Sequence, residues 1–313
     1  MNSDNHDHKT KYLPPEKTTW LVDSSIYVYR AWHTWTKNAE DIHGNPINAV
    51  HGFLHFVYQL LSTEKPTNIG FAFDEPLKHS HRRELYPAYK AHRKPAPDAL
   101  RYQFTLCRQF IRALGLSEFS SAYYEADDII GTLARYYRNK GHRIFFITAD
   151  KDLAQLIHRY DLWWEYGTNY QMDSWQIQRR FGVQPRQLAD LLAIIGDKSD
   201  NIPAVPEIGM KTAARLIKQF DNIDNLLSRS PEIAYTKLRR ARYIQHLIEE
   251  HAATIRIAKQ LTQIICDVDH APFEQNLQWQ QQSADRDSLN DLFTQLKIDE
   301  REQAKWLRLA GCC

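Results

Sequence analysis

Short apolar runs alternate with amphipathic stretches over the first half of the chain. Three runs, at residues 19–22, 69–73 and 143–147, are short and rich in β-branched or aromatic residues, which is typical of buried strands. Apolar residues at helical spacing predict three helices, over residues 50–61, 100–114 and 125–137. This alternation predicts βαβ units, and therefore an α/β fold with a parallel central sheet and flanking helices.

The pattern changes after about residue 170 to helices joined by loops rich in Gly and Pro. An apolar helix over residues 188–195 stops at Gly196, and a further helix begins near Lys211. A long helical region is predicted over residues 235–261, and the Gln-rich segment 275–287 is predicted to be an exposed connection. We therefore expect a flexible leader (1–17), an α/β core (18–180), a helical subdomain (181–300) and a tail (301–313).

The composition of the 313 residues, 43% hydrophobic and 25% charged, excludes disordered, collagen-like and disulfide-scaffold proteins. No apolar run approaches the roughly 20 residues of a transmembrane helix, so no membrane partner is expected. The polar N-terminus lacks the apolar region of a secretory signal. Cys107, Cys266, Cys312 and Cys313 show neither a metal-binding spacing nor a disulfide framework, which favours a reducing, cytoplasmic location.

The formal net charge of +2 does not by itself indicate a polyanionic partner, but the cations are unevenly distributed. Residues 78–94 contain six Lys or Arg residues against one acid, Glu84, together with Tyr86 and Tyr89. A basic segment with aromatic residues is suited to holding a phosphate backbone and stacking on unpaired bases. The alternative is a solvated, charged helix face.

Nine acids are expected to converge at one edge of the predicted sheet. They follow the three predicted strands, begin a predicted helix or lie in the loop after Gly196: Asp23, Asp74, Glu125, Asp127, Asp128, Asp150, Asp152, Asp197 and Asp200. The carboxyl edge of an open parallel sheet is where such folds bind ligands. Taken singly, an acid at one of these positions is often only a helix cap, a turn residue or a complement to a helix dipole.

So many like charges at one edge repel one another unless cations neutralise them. An all-oxygen ligand set without Cys or clustered His suits Mg²⁺ or Mn²⁺, and two or more ions are expected because each takes only one or two carboxylates directly. Paired ions of this kind clamp the attacking and leaving oxygens in phosphodiester hydrolysis, so the predicted reaction class is a nuclease. Four histidines without a recognisable motif are assigned to the core or surface: His33, His51, His55 and His158.

The segment VPEIGMKTAARLI, residues 205–217, is a second indication of nucleic-acid binding. Here a Gly turn leads into a helix N-terminus, whose free amide groups and dipole can hold a phosphate. Lys211 would reinforce this contact, although Pro/Gly turns before helices are common and the signal is weak by itself.

Several segments resemble the 5′ nuclease family, which includes the N-terminal 5′ to 3′ exonuclease domain of bacterial DNA polymerase I, phage exonucleases and flap endonucleases. LVDSSIYVYRAWH is similar to the family's opening strand, and residues 72–97 are similar to its second aspartate and helical arch. YEADDIIGTLA, ITADKDLAQLI and IIGDKSDNIPAVPEIGMKTA match its acidic motifs in order. The resemblance implies a PIN-like nuclease core, an arch at about residues 78–97 and a C-terminal helix-three-turn-helix subdomain.

The resemblance also implies a role for each matched residue. Seven acids would surround the tighter metal region or lie near it: Asp23, Asp74, Glu125, Asp127, Asp128, Asp150 and Asp152. Asp197 and Asp200 would complete the second region. The catalytic residues so implied are Lys90, Arg93, Asp128 and Asp150. The DNA contacts so implied are Arg30, Arg82, Tyr86, Tyr89, Lys90, Arg93, Gly209, Lys211 and Thr212, with a potassium ion at the Gly209 turn.

Two positions depart from the family pattern. Ser24 stands where glycine is usual, and Glu207 replaces the first glycine of the usual GIG turn. Glu207 places an acid beside the expected phosphate and cation grip, where it would weaken duplex binding or help to hold the cation. Because only residues 299–313 follow the matched region, we expect a stand-alone enzyme, and the resemblance favours a monomer.

The predicted function is a metal-dependent, structure-specific 5′-3′ exonuclease and 5′-flap endonuclease acting on DNA with a flap, an overhang or a free 5′ end. One alternative is a PIN-type RNase, which also gathers acids at a parallel-sheet edge; the basic arch and the helical duplex grip argue against it. The other is a catalytically silent branched-DNA-binding module. The nine acids argue against that module, since binding alone favours fewer negative charges near phosphates.

Overall fold

The computed structural model describes residues 15–35, 39–76, 80–168, 170–268, 276–280 and 283–312. Most of the predicted leader (residues 1–14), Lys78 at the start of the basic segment and Cys313 lie outside the described residues. Lys17, the last residue of the predicted leader, begins the first strand.

A six-stranded sheet lies at the centre of the N-terminal part. Its strands are β1 (Lys17–Asp23), β2 (Ile69–Ala72), β3 (Ser117–Phe119), β4 (His142–Ile147), β5 (Leu162–Glu165) and β6 (Tyr170–Met172). The strand order is β3-β2-β1-β4-β5-β6, parallel from β3 to β5, with β6 antiparallel to β5. The three predicted strands are confirmed as β1, β2 and β4, and the mostly parallel sheet confirms the predicted fold class.

Thirteen α-helices occur in the described part of the chain. They are α1 (Ser24–Thr34), α2 (Asn48–Glu64), α3 (His81–Leu85), α4 (Asp98–Ala113), α5 (Ala126–Asn139), α6 (Ser174–Phe181), α7 (Leu188–Ile195), α8 (Met210–Phe220), α9 (Ile223–Ser228), α10 (Ala241–Glu250), α11 (Ala252–Thr262), α12 (Arg286–Gln295) and α13 (Glu300–Leu309). Three short 3₁₀-helices lie at Asp152–Leu156, Pro185–Gln187 and Ser230–Tyr235.

Helices cover both faces of the sheet. Successive residues of a strand point to opposite faces, so the central strands bury side chains in two separate cores. Trp20 and Val22 of β1 pack in the core formed with α1, α2 and α4, whereas Leu21 packs in the core formed with α5. A strand buried on both faces is a nearly continuous hydrophobic run. This is why the middle strands are recognisable in the sequence, whereas the three-residue β3 and β6 are not.

The helical part, residues 183–268, packs on the same side of the sheet as α5. Its buried residues, such as Leu191, Ile217 and Ile255, belong to one continuous core with Leu21 of β1. The predicted long helix over residues 235–261 is divided into α10 and α11, which are separated by His251. Within the described ranges, every helix is too short or too polar to span a bilayer.

The segment predicted to be an exposed connection contributes to the core. Leu277 is 1% exposed, and its carbonyl accepts a hydrogen bond from the Ile69 amide of β2 (2.9 Å). The Trp279 amide donates to the Thr67 carbonyl (2.9 Å). The prediction of an exposed connection is therefore wrong at residues 277–279, because two apolar residues within a Gln-rich run extend the backbone pairing at the start of β2.

The predicted tail is also part of the core, since most of it forms α13. Trp306 on α13 is 1% exposed. Its ring lies edge-on to Phe110 of α4, with centroids 4.9 Å apart, and to Tyr58 of α2, with centroids 5.2 Å apart. The C-terminal helices α12 and α13 therefore stabilise the α/β core and are not an extension of the helical part.

We expect Trp306→Ala to lower the free energy of unfolding by about 3–5 kcal/mol, because the substitution leaves a large cavity between α2, α4 and α13. Urea denaturation followed by circular dichroism measures this. The matched control is Trp175→Ala on α6, where the tryptophan is 62% exposed and the loss should stay within about 0.5 kcal/mol. Equal losses for the two variants would contradict a core role for α13.

Candidate active site

Three strand ends bring the first acids together. In the register of the sheet, Asp23 of β1 is level with Ala72 of β2, and Val22 is level with Ile147 of β4. Asp74 and Asp150 follow these two strands by two and three residues. The structure therefore places Asp23, Asp74 and Asp150 beside one carboxyl edge, as the sequence predicts.

The N-terminus of α5 is directed to the same edge. The Ala126 amide, in the first turn of α5, donates a hydrogen bond to Asp74 Oδ1 (2.9 Å). The Asp74 amide in turn donates to the Ser25 hydroxyl of α1 (2.8 Å). These two bonds fix Asp74 between α1 and α5 and bring Asp127, the second residue of α5, close to the other acids.

A chain of hydrogen bonds connects the acids that follow β1 and β4. The Thr148 hydroxyl donates to Asp23 Oδ2 (2.8 Å) and accepts from the Asp150 amide (2.8 Å). The Asp152 amide donates to Asp150 Oδ1 (2.8 Å). Thr148 is fully buried, so it acts as a fixed spacer. Sequence analysis did not identify Thr148 because its hydroxyl has no charge, although it stands next to β4 within the ITAD motif.

Five of these acids have raised pKa values, and for Asp74 burial and the charge of Glu125 outweigh the opposing effect of Lys90. Burial, and then the charges of Asp74 and Asp150, raise the pKa of Asp23 to about 8. Burial, and then the charge of Asp150, raise the pKa of Asp152 to about 8. Burial also raises the pKa of Asp150, and burial with the charges of Asp150 and Asp23 raises that of Asp127. The other four carboxyls, Asp23, Asp127, Asp150 and Asp152, are therefore costly to ionise, because the protein does not balance the negative charge that ionisation creates; we call them the unbalanced acids.

A second set of acids is balanced by lysine and arginine side chains. Lys90 Nζ lies 2.9 Å from Glu125 Oε1 and 3.5 Å from Asp200 Oδ2. Arg93 also pairs with Asp200, and Lys151 Nζ lies 2.7 Å from Asp197 Oδ2. Burial acts against ionisation of Glu125, but Lys90 and Arg82 outweigh it and lower its pKa.

The unbalanced acids fit a divalent cation in their chemistry. All of their donor atoms are carboxylate oxygens, and Asp152 Oδ1 is buried without a hydrogen-bond partner among the described residues. In the described part of the chain, no three His, Cys, Asp or Glu side chains are already arranged around one point as a metal ligand set.

Asp128 is placed differently from the other predicted ligands. It is 0% exposed, and its two oxygens accept hydrogen bonds from Arg82 at 2.6 and 2.8 Å. Arg82 is 4% exposed and also donates to the carbonyls of Leu261 and Gln263, at 2.9 and 3.1 Å. The prediction of Asp128 as a ligand and catalytic residue, and of Arg82 as a DNA contact, is not supported. The pair instead connects α3, α5 and the end of α11.

Tyr89 also differs from its predicted role. It is 2% exposed, and its hydroxyl lies 3.1 Å from Glu125 Oε2 and 3.2 Å from Asp200 Oδ2. Burial, and then the charge of Glu125, raise its pKa. Tyr86 is half-buried and packs against the core. Tyr89 therefore bridges two acids and is too buried to stack on a base.

The segment predicted as the arch is only partly helical. Among its described residues, α3 is followed by turns from Pro87 to Arg93. The Lys90 backbone is left-handed (φ 51°), and its amide donates to the Asp200 carbonyl (2.9 Å). The Arg93 Nε donates to the Ser199 carbonyl (3.2 Å). The arch cations thus lie against the loop that carries Asp197 and Asp200.

The remaining predicted DNA contacts lie on either side of this site. Arg30 of α1 pairs with Glu165 at the end of β5 (2.7 Å). Gly209 immediately precedes α8, and in its first turn Lys211 is exposed and Thr212 is half-buried.

Glu207, the unusual acid before the Gly209 turn, is directed to α10. Its backbone is left-handed (φ 61°), a conformation that favours the glycine usual in the family. Its carboxylate accepts hydrogen bonds from the Tyr243 hydroxyl (2.7 Å) and from Arg240 (3.2 Å). The hydrogen bond from Tyr243, together with Arg240, lowers the pKa of Glu207.

An exposed tyrosine beside the acids is not among the predicted site residues. Tyr29 on α1 is 43% exposed, and its ring lies edge-on to Phe104, with centroids 5.2 Å apart. Burial, and then the charge of Asp74, raise its pKa. The signal in the sequence is its position six residues after Asp23, on the first helix after β1.

We expect the stability of the metal-free protein to fall as the pH rises from about 4 to 8. Burial and neighbouring charges raise the pKa of Asp23 from the ordinary 3.8 of an aspartate to about 8 in the folded protein, so the folded protein binds more protons than the unfolded chain in that window. Asp23→Asn, which removes this titration, should therefore raise the melting temperature at pH 8 in EDTA and flatten the pH dependence. Differential scanning calorimetry at about pH 5 and pH 8 measures both effects.

Asp41→Asn is the matched control for that experiment. Asp41 is also fully buried, but hydrogen bonds from the Tyr102 hydroxyl and from Asn45 outweigh burial and lower its pKa. Its replacement should lower the melting temperature by about the same amount at pH 5 and at pH 8, because both lie above the pKa of an unfolded aspartate and the stabilisation is lost only below about pH 4. If Asp23→Asn melts at or below the melting temperature of the wild type at pH 8, the conclusion that ionisation of Asp23 destabilises the metal-free protein is wrong.

We expect Arg82→Ala to lower the free energy of unfolding by about 3–5 kcal/mol, because it leaves the buried Asp128 carboxylate without its cation. Chemical denaturation measures this loss. Arg83→Ala is the neighbouring control, since Arg83 is half-buried and forms no ion pair among the described residues. A stable Arg82→Ala variant with weakened DNA binding would return Arg82 to the DNA contacts.

Two family models match consecutive parts of the chain. The 5′-3′ exonuclease N-terminal resolvase-like domain matches residues 18–182, and the 5′-3′ exonuclease C-terminal SAM fold matches residues 183–285. The bacteriophage T5 D15 flap endonuclease, in a pseudo-enzyme-product complex with DNA and metal ions, has a similar fold. Its TM-score is 0.63 at 17% identity, with 94% of this chain and 100% of that chain covered.

Curated relatives agree with the family models. A 5′-3′ exonuclease of Buchnera aphidicola subsp. Baizongia pistaciae is 34% identical over 252 residues, which cover 80% of this chain and 82% of that protein. DNA polymerase I of Bacillus caldotenax is 35% identical over 288 residues, which cover 90% of this chain and 31% of the polymerase. The chain thus spans less than a third of that polymerase but most of the Buchnera exonuclease. These matches and the geometry of the carboxylate edge show that the chain belongs to the 5′-3′ exonuclease family.

Proposed function

We propose that this protein is a divalent-metal-dependent 5′ nuclease that hydrolyses DNA phosphodiester bonds at a 5′ flap, an overhang or a free 5′ end. The observation that carries the proposal is the group of unbalanced carboxylates beside the carboxyl edge of the sheet, next to cations from the arch segment. A fold that only bound DNA would gain nothing from buried acids that repel both one another and the phosphate backbone.

The residues that would hold Mg²⁺ or Mn²⁺ are the unbalanced acids Asp23, Asp127, Asp150 and Asp152, together with Asp74. The T5 structure of similar fold contains metal ions, and the donor chemistry here favours a hard cation. Divalent ions bound at such a site lower the pKa of a water molecule and offset charge on the reacting phosphate. Asp197 and Asp200 would complete a second region, where Arg93 and Lys151 balance them. Glu125, which the resemblance assigns to the first region, is grouped with them in this proposal because Lys90 pairs with both Glu125 and Asp200.

Lys90 and Arg93 would stabilise charge on the phosphate. Both are held against Glu125 or Asp200 beside the unbalanced acids. Because these acids orient the two cations before a substrate arrives, little reorganisation is needed when a phosphate takes the place of a carboxylate. Asp150, hydrogen-bonded to Thr148 and Asp152, would fix the position of the reacting centre relative to them.

The DNA would contact the protein on both sides of this centre. On one side, Arg30, which pairs with Glu165 at the end of β5, would contact the DNA backbone. On the other side, the free amides of α8 after Gly209, with Lys211 and Thr212, would hold a duplex phosphate. The exposed Tyr29 ring, rather than Tyr86 or Tyr89, is the aromatic surface beside the acids. We include a potassium ion at the Gly209 turn; Glu207, whose carboxylate is directed to α10, is not a ligand in this proposal.

Cleavage of a 5′-labelled flap duplex tests the function. The protein is incubated with EDTA, Mg²⁺ or Mn²⁺, beside a blunt duplex and a single-stranded RNA, with Asp150→Ala as the inactive control. We expect short 5′ products from the flap substrate only with metal. Binding without cleavage would favour a DNA-binding module, and preferential cutting of the RNA would favour a PIN-type RNase.

We expect Lys90→Ala to lower the single-turnover cleavage rate on the order of 10²-fold, with a much smaller change in the Kd for DNA, because its ammonium acts on charge that develops during the reaction. Quench-flow kinetics and fluorescence anisotropy separate the two quantities. Lys94→Ala, an exposed lysine in the same segment, is the control and should behave like the wild type. An unchanged cleavage rate in Lys90→Ala would remove Lys90 from the site.

The expected monomer and the expected cytoplasmic location stay predictions. Size-exclusion chromatography with light scattering tests the first, and a fluorescent fusion in the source cell tests the second.

A further inference from the structure

We propose that four side chains on β6 and α6 bind unpaired nucleotides of a single-stranded DNA arm outside the carboxylate site. They are Tyr170, Trp175, Arg179 and Arg180, and we call them the Trp175 surface. The proposal rests on the proposed nuclease function, because a flap or overhang substrate is what would supply the single-stranded arm. Binding at this surface does not itself require cleavage.

Trp175 is exposed to solvent and does not take part in the packing of α6. It is 62% exposed, whereas the other seven tryptophans are buried or half-buried. Helix α6 packs through Ile177 and Phe181. Its start is capped by Asp173, which accepts a hydrogen bond from the Gln176 amide (2.8 Å). The Trp175 ring therefore contributes to neither the packing nor the capping of α6 and is free to contact a ligand.

Two arginines accompany the exposed rings. The guanidinium carbon of Arg179 lies 5.4 Å from the centroid of the Trp175 ring, and that of Arg180 lies 5.3 Å from the centroid of the Tyr170 ring. Neither arginine forms an ion pair within the described residues. Arg180 also donates a hydrogen bond to the Tyr170 hydroxyl, and the Tyr170 ring lies edge-on to Trp163, with centroids 5.6 Å apart. These contacts and the cation–π contact of Arg179 hold the guanidinium groups beside the rings, so that positive charge and aromatic area are presented together.

Aromatic rings with adjacent arginines suit single-stranded nucleic acid. Every base has a π-face that can stack on a ring, while the guanidinium groups attract the backbone phosphates. The one acid of residues 170–181, Asp173, is occupied at the start of α6. The absence of a second acid in this segment favours a polyanionic ligand over a protein partner with basic groups.

The position of the surface supports the same ligand. Tyr170 is paired with Glu165 of β5, and Glu165 binds Arg30, one of the predicted DNA contacts. Strand β6 lies two strands from β4, which leads to Asp150, so the Tyr170 end of the surface is roughly 10 Å along the edge from the end of β4 and farther from Asp23 and Asp74 on β1 and β2. A strand held at the carboxylates therefore reaches Tyr170 and Arg180 by continuing along the edge past Arg30.

Anisotropy measurements with a labelled oligothymidine and a labelled blunt duplex of the same length test the proposal. Both are performed in EDTA, so that no cleavage occurs. Trp175→Ala, and Arg179→Gln combined with Arg180→Gln, should each weaken oligothymidine binding about five-fold or more, with duplex binding unchanged. Trp175→Phe keeps a ring and should retain most of the affinity, and Gln178→Ala, exposed on the same helix, is the control for an inert substitution.

Unchanged oligothymidine affinity in folded Trp175→Ala and in the double arginine variant would overturn the proposal, and so would equal losses for duplex and single strand. Thermal melting confirms that each variant is folded. The outcome is independent of the flap assay. If the wild-type protein cleaves no substrate but its oligothymidine binding depends on Trp175, the nuclease function is refuted and the Trp175 surface is supported. If the wild-type protein cleaves the flap normally but the variants bind oligothymidine as tightly as it does, the nuclease function is supported and the Trp175 surface is refuted.

Discussion

Repulsion among carboxylates beside the sheet is the constraint on which the rest of the site depends. Burial and mutual repulsion make it costly to ionise Asp23, Asp127, Asp150 and Asp152. The protein tolerates this because Thr148 and the backbone amides of the edge hold the carboxyls in place. The result is a rigid group of carboxyls whose ionisation a bound hard cation would favour.

The second set of acids shows the opposite arrangement, because these acids are paired with cationic side chains. Glu125, Asp197 and Asp200 each face a lysine or an arginine. Since Lys90 and Arg93 come from the arch segment, its position is coupled to the charge of these acids. In the proposed function, a phosphate that binds Lys90 or Arg93 would release its carboxylate partner, which would link substrate binding to the position of the arch segment.

The buried Arg82–Asp128 pair explains how three distant parts of the chain hold one geometry. Arg82 on α3 binds Asp128 on α5 and two carbonyls at the end of α11. Such a pair contributes less to net stability than to specifying one arrangement, because removing either partner leaves a buried charge alone. It holds the base of the arch segment and the end of α11 at the start of α5, beside the carboxylate edge.

The sequence by itself determined the strands β1, β2 and β4 and the acids at their ends, since strands buried on both faces are recognisable as apolar runs and parallel strands end at one edge. It also determined the family, through motifs in a fixed order. Only the tertiary structure decided the direction of each side chain. Asp127 and Asp128 are adjacent acids in one helical turn, yet α5 points Asp127 to the site and Asp128 to Arg82. Likewise, Tyr89 and Trp306 are buried by residues far away in the chain, because burial depends on packing between elements and not on local composition.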